Sequence, residues 1–368
     1  MARLEGFLAR SLLHELIAAL GAGGRRVIGP QVRDGAVVYE PLESEAQLPH
    51  GLHDVQAPGR YRLEQADTPR CFAWADGPQA LKPLVFSPRE RLWTSERAED
   101  GALRFRESAE SVEPTAVLGV RACDLAALAL QDQHFLEGTF PDPSYRARRE
   151  SLFLVAVHCT HPADTCFCAS TGDGPRAEAG FDVALHELDG GFIVSSGSPA
   201  GHAFCGMLPL SEASADLCVS AEAEVDQAAA GQQRSLPGQD LRTPLMQRLE
   251  HPRWAEVAER CLSCGNCTAV CPTCFCHAEV ELPDIDGRSS DHYRQWDSCF
   301  TEGHSRLSGF VVRPDTRTRY RQWLVHKLAT WHDQYGRSGC VGCGRCVTWC
   351  PVGIDITEEA HALCADRT

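Results

Sequence analysis

The apolar positions divide the chain into two kinds of pattern. At the start, Leu4, Phe7, Leu8, Leu12, Leu16, Ile17 and Leu20 recur at helical spacing, which predicts an amphipathic helix ended by Gly21. Short β-type runs follow at 27–30, 36–39, 61–63, 84–86 and 103–105, separated by Gly, Pro and Asp turns. Residues 116–120 and 152–157 are continuous apolar runs, the pattern of parallel strands covered on both faces. Between them, 124–136 has helical character, so strand, helix and strand read as a βαβ unit. Further strands are expected near 181–185 and 192–195. Beyond the polar, Gly- and Pro-containing stretch 228–240 the pattern turns helical, at 241–260, 320–332 and 357–365. The expected architecture is an α/β N-terminal domain with a partly parallel sheet over 1–235. A mostly helical domain follows over 236–368.

Composition adds a constraint. The chain has 368 residues, 43% of them hydrophobic and 23% charged, enough to bury full cores, and a formal net charge of −15. That acidic balance argues against nucleic acid as a partner, which requires clustered Lys and Arg. No apolar run reaches the length of a membrane span. Glu5, His14 and Glu15 interrupt the first twenty residues, and no apolar segment follows Arg25-Arg26, so no targeting signal is read. The expected location is cytoplasmic, with no membrane partner.

The 19 cysteines change the picture most. Twelve lie between Cys261 and Cys364 and seven before residue 260. In a reducing compartment such a number means metal or redox chemistry rather than disulfides. Cys261, Cys264, Cys267 and Cys271-Pro272 fit C-x2-C-x2-C-x3-C-P, and so do Cys340, Cys343, Cys346 and Cys350-Pro351. This is the bacterial 4Fe–4S spacing, in which three thiolates hold one cubane and the fourth ligates the other cluster of the pair. The spacing therefore predicts two 4Fe–4S clusters, one on Cys261, Cys264, Cys267 and Cys350, the other on Cys340, Cys343, Cys346 and Cys271, and it makes the mostly helical 236–368 a ferredoxin-type dicluster domain. A zinc site would instead show two C-x2-C pairs separated by a dozen or more residues. Asn266-Cys267-Thr268 matches a glycosylation sequon by coincidence, since its middle residue is a cluster ligand.

A third 4Fe–4S cluster is expected on the sheet. Cys123 and Cys159 follow the two apolar runs, so neighbouring parallel strands would bring both to the carboxyl edge, where open α/β sheets place ligands. Cys166 and Cys168 lie in the next loop, and the turn-rich 171–175 can wrap the site. A four-cysteine zinc site and inert buried thiols are the alternatives. His158 and His161 flank Cys159 and are not read as ligands. Cys205 is a substitute candidate for one of the four. Cys274, Cys276 and Cys299 fit packing beside the clusters, a redox-active pair or further ligands. Cys71, Cys218 and Cys364 read as small buried residues.

No G-x-G-x-x-G follows a predicted strand, and no phosphate loop, H-E-x-x-H or G-x-S-x-G is present. The chain shows means to store and pass single electrons but no place for two-electron chemistry.

Together these stretches resemble a known family. VIGPQVRDGAVVYEPL, PGRYRL, LGVRACDLAAL, CFCAS with GDGP, CLSCGNCTAVCPTCFC, WDSCF, RYRQWLVHK and GCVGCGRCVTWCPVGID are similar to the β subunits of cytoplasmic nickel–iron hydrogenases of the sulfhydrogenase type. They are also similar to the related iron–sulfur electron-transfer component of anaerobic sulfite reductase. Where the family pattern has Pro before Cys123, this chain has Ala122. The resemblance implies a non-catalytic electron-transfer subunit. Its electrons would come from a flavoprotein NAD(P)H-reductase subunit. It would exchange them with the small subunit of a hydrogenase, beside its large subunit. The nearest alternative keeps that role but ends at a sulfite or polysulfide reductase. A thiol reductase built on Cys274, Cys276 and Cys299 is a reading of another class. A redox sensor lacks any visible output module.

Overall fold

In the computed structural model, residues 3–365 are described, apart from Asp76, Ala80, Ala109, Glu110 and Gln239. The longer strands in chain order are β1 (Arg3–Ala9), β2 (Arg26–Arg33), β3 (Ala36–Pro41), β4 (Leu52–Ala57), β5 (Arg60–Gln65), β6 (Arg89–Arg97), β7 (Leu103–Glu107), β8 (Thr115–Val120), β9 (Leu152–Val157), β10 (Val183–Leu188), β11 (Gly191–Ser196), β12 (His277–Pro283) and β13 (Ser289–Trp296), and the two-residue strands Arg306–Leu307 and Phe310–Val311 pair with each other. A seven-stranded sheet runs in the order β1-β11-β10-β9-β8-β2-β3. Its centre is parallel, β10 on β9, β9 on β8 and β8 on β2, and its edges are antiparallel. The apolar runs of β8 and β9 sit at this centre, where covering on both faces accounts for their lack of alternation. Helix Ala122–Leu136 connects them, completing the expected βαβ unit.

A bulge shapes the end of β8. The register slips between Leu118 and Val120, and Gly119 has φ +92°. A Cβ there would lie 3.2 Å from the Phe72 ring. Bulges of this kind re-aim the residues that follow, here Arg121, Ala122 and Cys123.

The second sheet has the order β12-β13-β6-β7, and β13 pairs antiparallel with β6. Residues on the two sides of position 235 therefore share a sheet. Buried Glu90 of β6 is paired with Arg294 on the neighbouring β13 and with Arg148 of the helix Pro143–Glu150.

Several local expectations are corrected. Residues 3–9 form β1 rather than the start of a helix; the helix is Leu13–Ala22. Leu4, Phe7 and Leu8 suit either period, and pairing with β11 decides between them. Residues 84–86 fall in and after the short helix Lys82–Val85. The predicted helix over 241–260 is two, Arg242–Met246 and Arg253–Arg260, interrupted before Pro252. The insert between the cysteine motifs carries β12 and β13; its inward positions include His292 and Arg294, so polar side chains mask the alternation. The predicted helix over 320–332 is Thr316–Val325 followed by a widened π turn at His326–Thr330 and helix Trp331–Tyr335. Among the described residues no helix is long and apolar enough to cross a membrane.

Asp315 starts the helix that leads into that π turn. Its carboxylate accepts from Thr318 N–H at 2.8 Å. Asp315→Ala is expected to cost about 1 kcal/mol, as N-cap losses typically do. A small drop in melting temperature with unchanged iron content checks it.

Candidate iron–sulfur centres

The two C-terminal motifs fold alike. In each, a glycine in the left-handed region immediately precedes a one-turn helix: Gly265 (φ +73°) before Asn266–Ala269, and Gly344 (φ +75°) before Arg345–Thr348. The second cysteine precedes that glycine and the third lies inside the helix, so each loop curls its thiols around one space. The loops face each other, and Asn266 Nδ2 donates to Trp349 O.

Cys261, Cys264, Cys267 and Cys350 line one space, with Cys346 at its edge and Phe300, Tyr320 and Trp323 behind. Ile354 N–H points at Cys350 Sγ, at 3.3 Å. Burial pushes the Cys267 thiol well up, and Cys299, Cys261, Cys350 and Cys264 around it add to the shift. Cys264 is exposed, the one cysteine among the described residues that is.

Cys346 belongs to a second group. Burial pushes its thiol up too, and its thiol neighbours are Cys340, Cys343, Cys271 and, further, Cys267. Gly342 N–H approaches Cys340 Sγ at 3.5 Å. The fourth cysteine of each motif thus lies among the first three of the other.

The sheet edge carries a third group. Cys123 sits in the first turn after β8 and Cys159 two residues past β9. They line one space with Cys166, Cys168, Arg121 and, from the second motif, Cys343. Gln232 Nε2 donates to Cys168 Sγ at 3.2 Å. Gly174, in the turn-rich stretch, closes the site so tightly that a Cβ would come within 3.0 Å of Cys168 Sγ.

This edge and the second motif interlock. Phe167 N–H donates to Gly342 O at 2.8 Å. A Cβ on Gly342 (φ +64°) would meet the Cys168 backbone at 2.6 Å, so glycine is required there. Arg345 pairs with both carboxylate oxygens of Asp124, at 2.8 and 3.1 Å, with both side chains buried. That pair ties the residue after Cys123 to the residue before Cys346.

The remaining cysteines separate clearly. Cys205 packs in the main core with Phe153 and Phe204, away from the residues that line the sheet-edge space, so it is no substitute ligand. Cys71 is buried against Glu187, Cys218 packs beside Leu188 and Ile193, and Cys364 lies against the C-terminal core. His158 accepts from Ala177 N–H, and burial pushes its pKa down to about 3. His161 stacks on His53. Both act as neutral structural groups beside Cys159.

Cys274 and Cys276, both half-buried, lie by Cys271 and two buried lysines that no sequence pattern singles out. Lys327 Nζ donates to Cys271 Sγ at 3.3 Å and to Thr273 Oγ1 at 2.9 Å. Lys82 Nζ donates to Ala269 O at 3.1 Å and lies over the Trp296 ring. The Cys271 thiol is held well below the usual thiol range, first by its hydrogen bond with Cys274 and, against burial, by Lys327. In the sequence, Lys327 sits in a helical stretch with nothing to mark it as buried.

The thiols fit iron–sulfur clusters. They lie in groups of four, two of them around lined spaces, and in the two C-terminal groups backbone N–H groups of Ile354 and Gly342 are directed at sulfur. Among the described residues no three His, Cys, Asp or Glu side chains converge as a single-ion site requires.

Comparison with known proteins agrees with this geometry. The family described as "4Fe-4S dicluster domain" matches residues 260–354. Sulfhydrogenase 2 subunit beta of Pyrococcus furiosus is 36% identical over 282 residues, covering 74% of this chain and 79% of that protein. No solved structure matches the chain. The cysteine loops, the dicluster match and this extended identity together make the chain a member of the sulfhydrogenase β-subunit family, with a 4Fe–4S dicluster domain near its C-terminal end.

Proposed function

We propose that the chain is a cytoplasmic relay subunit of a soluble nickel–iron hydrogenase. At one end of the relay stands a flavin-containing NAD(P)H-reductase subunit. At the other stands the hydrogenase small subunit, which adjoins the large subunit. The carrying observation is the contiguity of the three thiol groups. Cys343 borders both the sheet-edge group and the second group, and Cys346 borders both the second and the first. A wire of this kind ends at the surface at Cys264.

In this reading Cys261, Cys264, Cys267 and Cys350 hold one 4Fe–4S cluster, and Cys340, Cys343, Cys346 and Cys271 hold a second. Cys123, Cys159, Cys166 and Cys168 hold a third. Bound clusters supply one-electron storage. The protein's part is to hold the thiolates, to exclude water with Phe300, Tyr320 and Trp323, and to keep adjacent groups in contact through the Gly342 and Gly344 turns. Domains 1–235 and 236–368 then meet along the wire itself.

Anaerobically purified protein should carry about twelve irons, the content of three cubanes on this ligand spacing. Alone it should neither consume H2 nor oxidise NAD(P)H, and it should co-purify with a nickel-containing large subunit. NAD(P)H oxidation by the isolated chain, or a sirohaem partner in place of nickel, would overturn the proposal.

A further inference from the structure

We infer that Lys327 is a potential-setting residue: its buried ammonium raises the reduction potential of the centre held by Cys340, Cys343, Cys346 and Cys271. The inference rests on the reading that these four thiols hold a cluster.

Lys327 occupies the π turn at His326–Thr330, a widening that departs from the regular helix on either side. Its side chain is 4% exposed. Its ammonium has three donors and three acceptors: Cys271 Sγ at 3.3 Å, Thr273 Oγ1 at 2.9 Å and Gly339 O at 3.4 Å. Among the described residues no carboxylate pairs with it. The Thr273 hydroxyl lies between Gly339 O, at 2.7 Å, and Cys271 Sγ, at 3.2 Å, and carries no charge. That leaves Lys327 as the one cationic donor to Cys271 among the described residues.

An ammonium buried without a counter-charge is costly. Cys271 Sγ, at 3.3 Å, occupies the place of a counter-charge. One-electron reduction adds negative charge at the same place, and a cation in a low-dielectric interior stabilises the more negative level. The electron comes from a neighbouring iron–sulfur centre. No bond forms or breaks, and the ammonium keeps its proton at both levels.

Among the described residues the first dicluster group has no such donor. Cys261 and Cys350 receive backbone N–H groups, from Ser263 and Ile354. Lys82 approaches Cys271 and Cys274 from the other domain, but its donors go to the carbonyls of Thr268 and Ala269. The asymmetry therefore favours electron residence on the middle group of the wire.

The test is a potentiometric titration followed by EPR, on anaerobically purified full-length protein after its iron has been counted. Lys327→Met should lower the midpoint of one centre, the one perturbed by Cys340→Ser, and leave the others in place. At the original midpoint its reduced-to-oxidised ratio should fall at least about tenfold, a shift of about 59 mV for one electron. Lys327→Arg should restore most of it, and Lys82→Met should shift it less. Full iron with unmoved midpoints overturns the inference and leaves the relay reading intact. Absence of cubanes from the unaltered protein defeats the relay reading itself. Should Lys327→Met lose iron, Lys327→Gln, which keeps an N–H donor without the charge, decides. An unshifted midpoint, or loss of the same cluster there too, assigns Lys327 a purely structural role.

Discussion

Asp124→Ala should destabilise the protein by about 3–5 kcal/mol, the cost of removing one partner of a buried ion pair, and should strip iron from two of the three thiol groups. Asp124 and Arg345 are both essentially inaccessible, and the guanidinium grips both carboxylate oxygens. Arg345 also donates to Gly77 O at 3.1 Å and to Gln79 O at 3.3 Å, so its loss of Asp124 would leave a positive charge in a dry interior without its carboxylate. Position explains the second effect. Asp124 follows Cys123 in the first helical turn, and Arg345 precedes Cys346. The pair therefore sets the distance between the sheet edge and the second cysteine loop. Glu64→Ala is the control. It breaks an exposed pair with Arg62 and should move stability by no more than about 0.5 kcal/mol. Thermal unfolding and iron analysis of the two variants side by side check the prediction. An Asp124→Ala protein that melts with the control and keeps its iron would sink it. A double Asp124→Leu, Arg345→Met protein should recover part of the stability, because replacing a whole buried pair costs far less than orphaning one member.

The same pair shows where sequence reading stops. The cysteine groups were legible because thiolate spacing in a tight loop is local: C-x2-C-x2-C fixes the geometry within seven residues. The sheet-edge group was legible because two continuous apolar runs define parallel neighbours, and the residue after each must emerge at one edge. Asp124 and Arg345 are 221 positions apart, and Lys327 reaches Cys271 across 56. Neither contact has a local signature. The β12–β13 hairpin was missed for a related reason. Arg294 faces inward to meet Glu90 and Asp142, so charge occupies the positions where alternation would need apolar residues. At the start of the chain, spacing alone allowed both a helix and a strand, and pairing with a strand about 190 residues away chose between them.

Charge distribution reads differently in the light of the structure. The chain as a whole is acidic, at −15, yet Arg121, Arg345, Lys82 and Lys327 are buried cations, and each lies beside a thiol group or the loop that carries one. Clusters on thiolates bring negative charge into the interior, and buried cations offset it.

Cys123→Ala should remove one cluster and leave two. Iron should fall by about four of about twelve atoms per chain, since a cubane deprived of one of its four thiolates is no longer held on this ligand pattern. One set of EPR signals should vanish from the reduced protein, while those of the dicluster persist. Stability should fall only modestly before the iron is counted, because Cys123 is a small side chain and its helix is held by Asp124 and by β8. Cys159→Ala should remove the same signals. It lies in a loop rather than a helix and is half-buried, so agreement between the two variants separates loss of a ligand from local unfolding. Cys205→Ala supplies the contrast. Its thiol is buried in the main core, where burial raises its pKa to about 12, and its removal should leave all iron in place. Full iron in both Cys123→Ala and Cys159→Ala would refute a third cluster. Relay would then have to begin at the second group, and the edge cysteines would be packing residues whose convergence under Gly174 and Gln232 serves only to join the sheet to the cysteine loop.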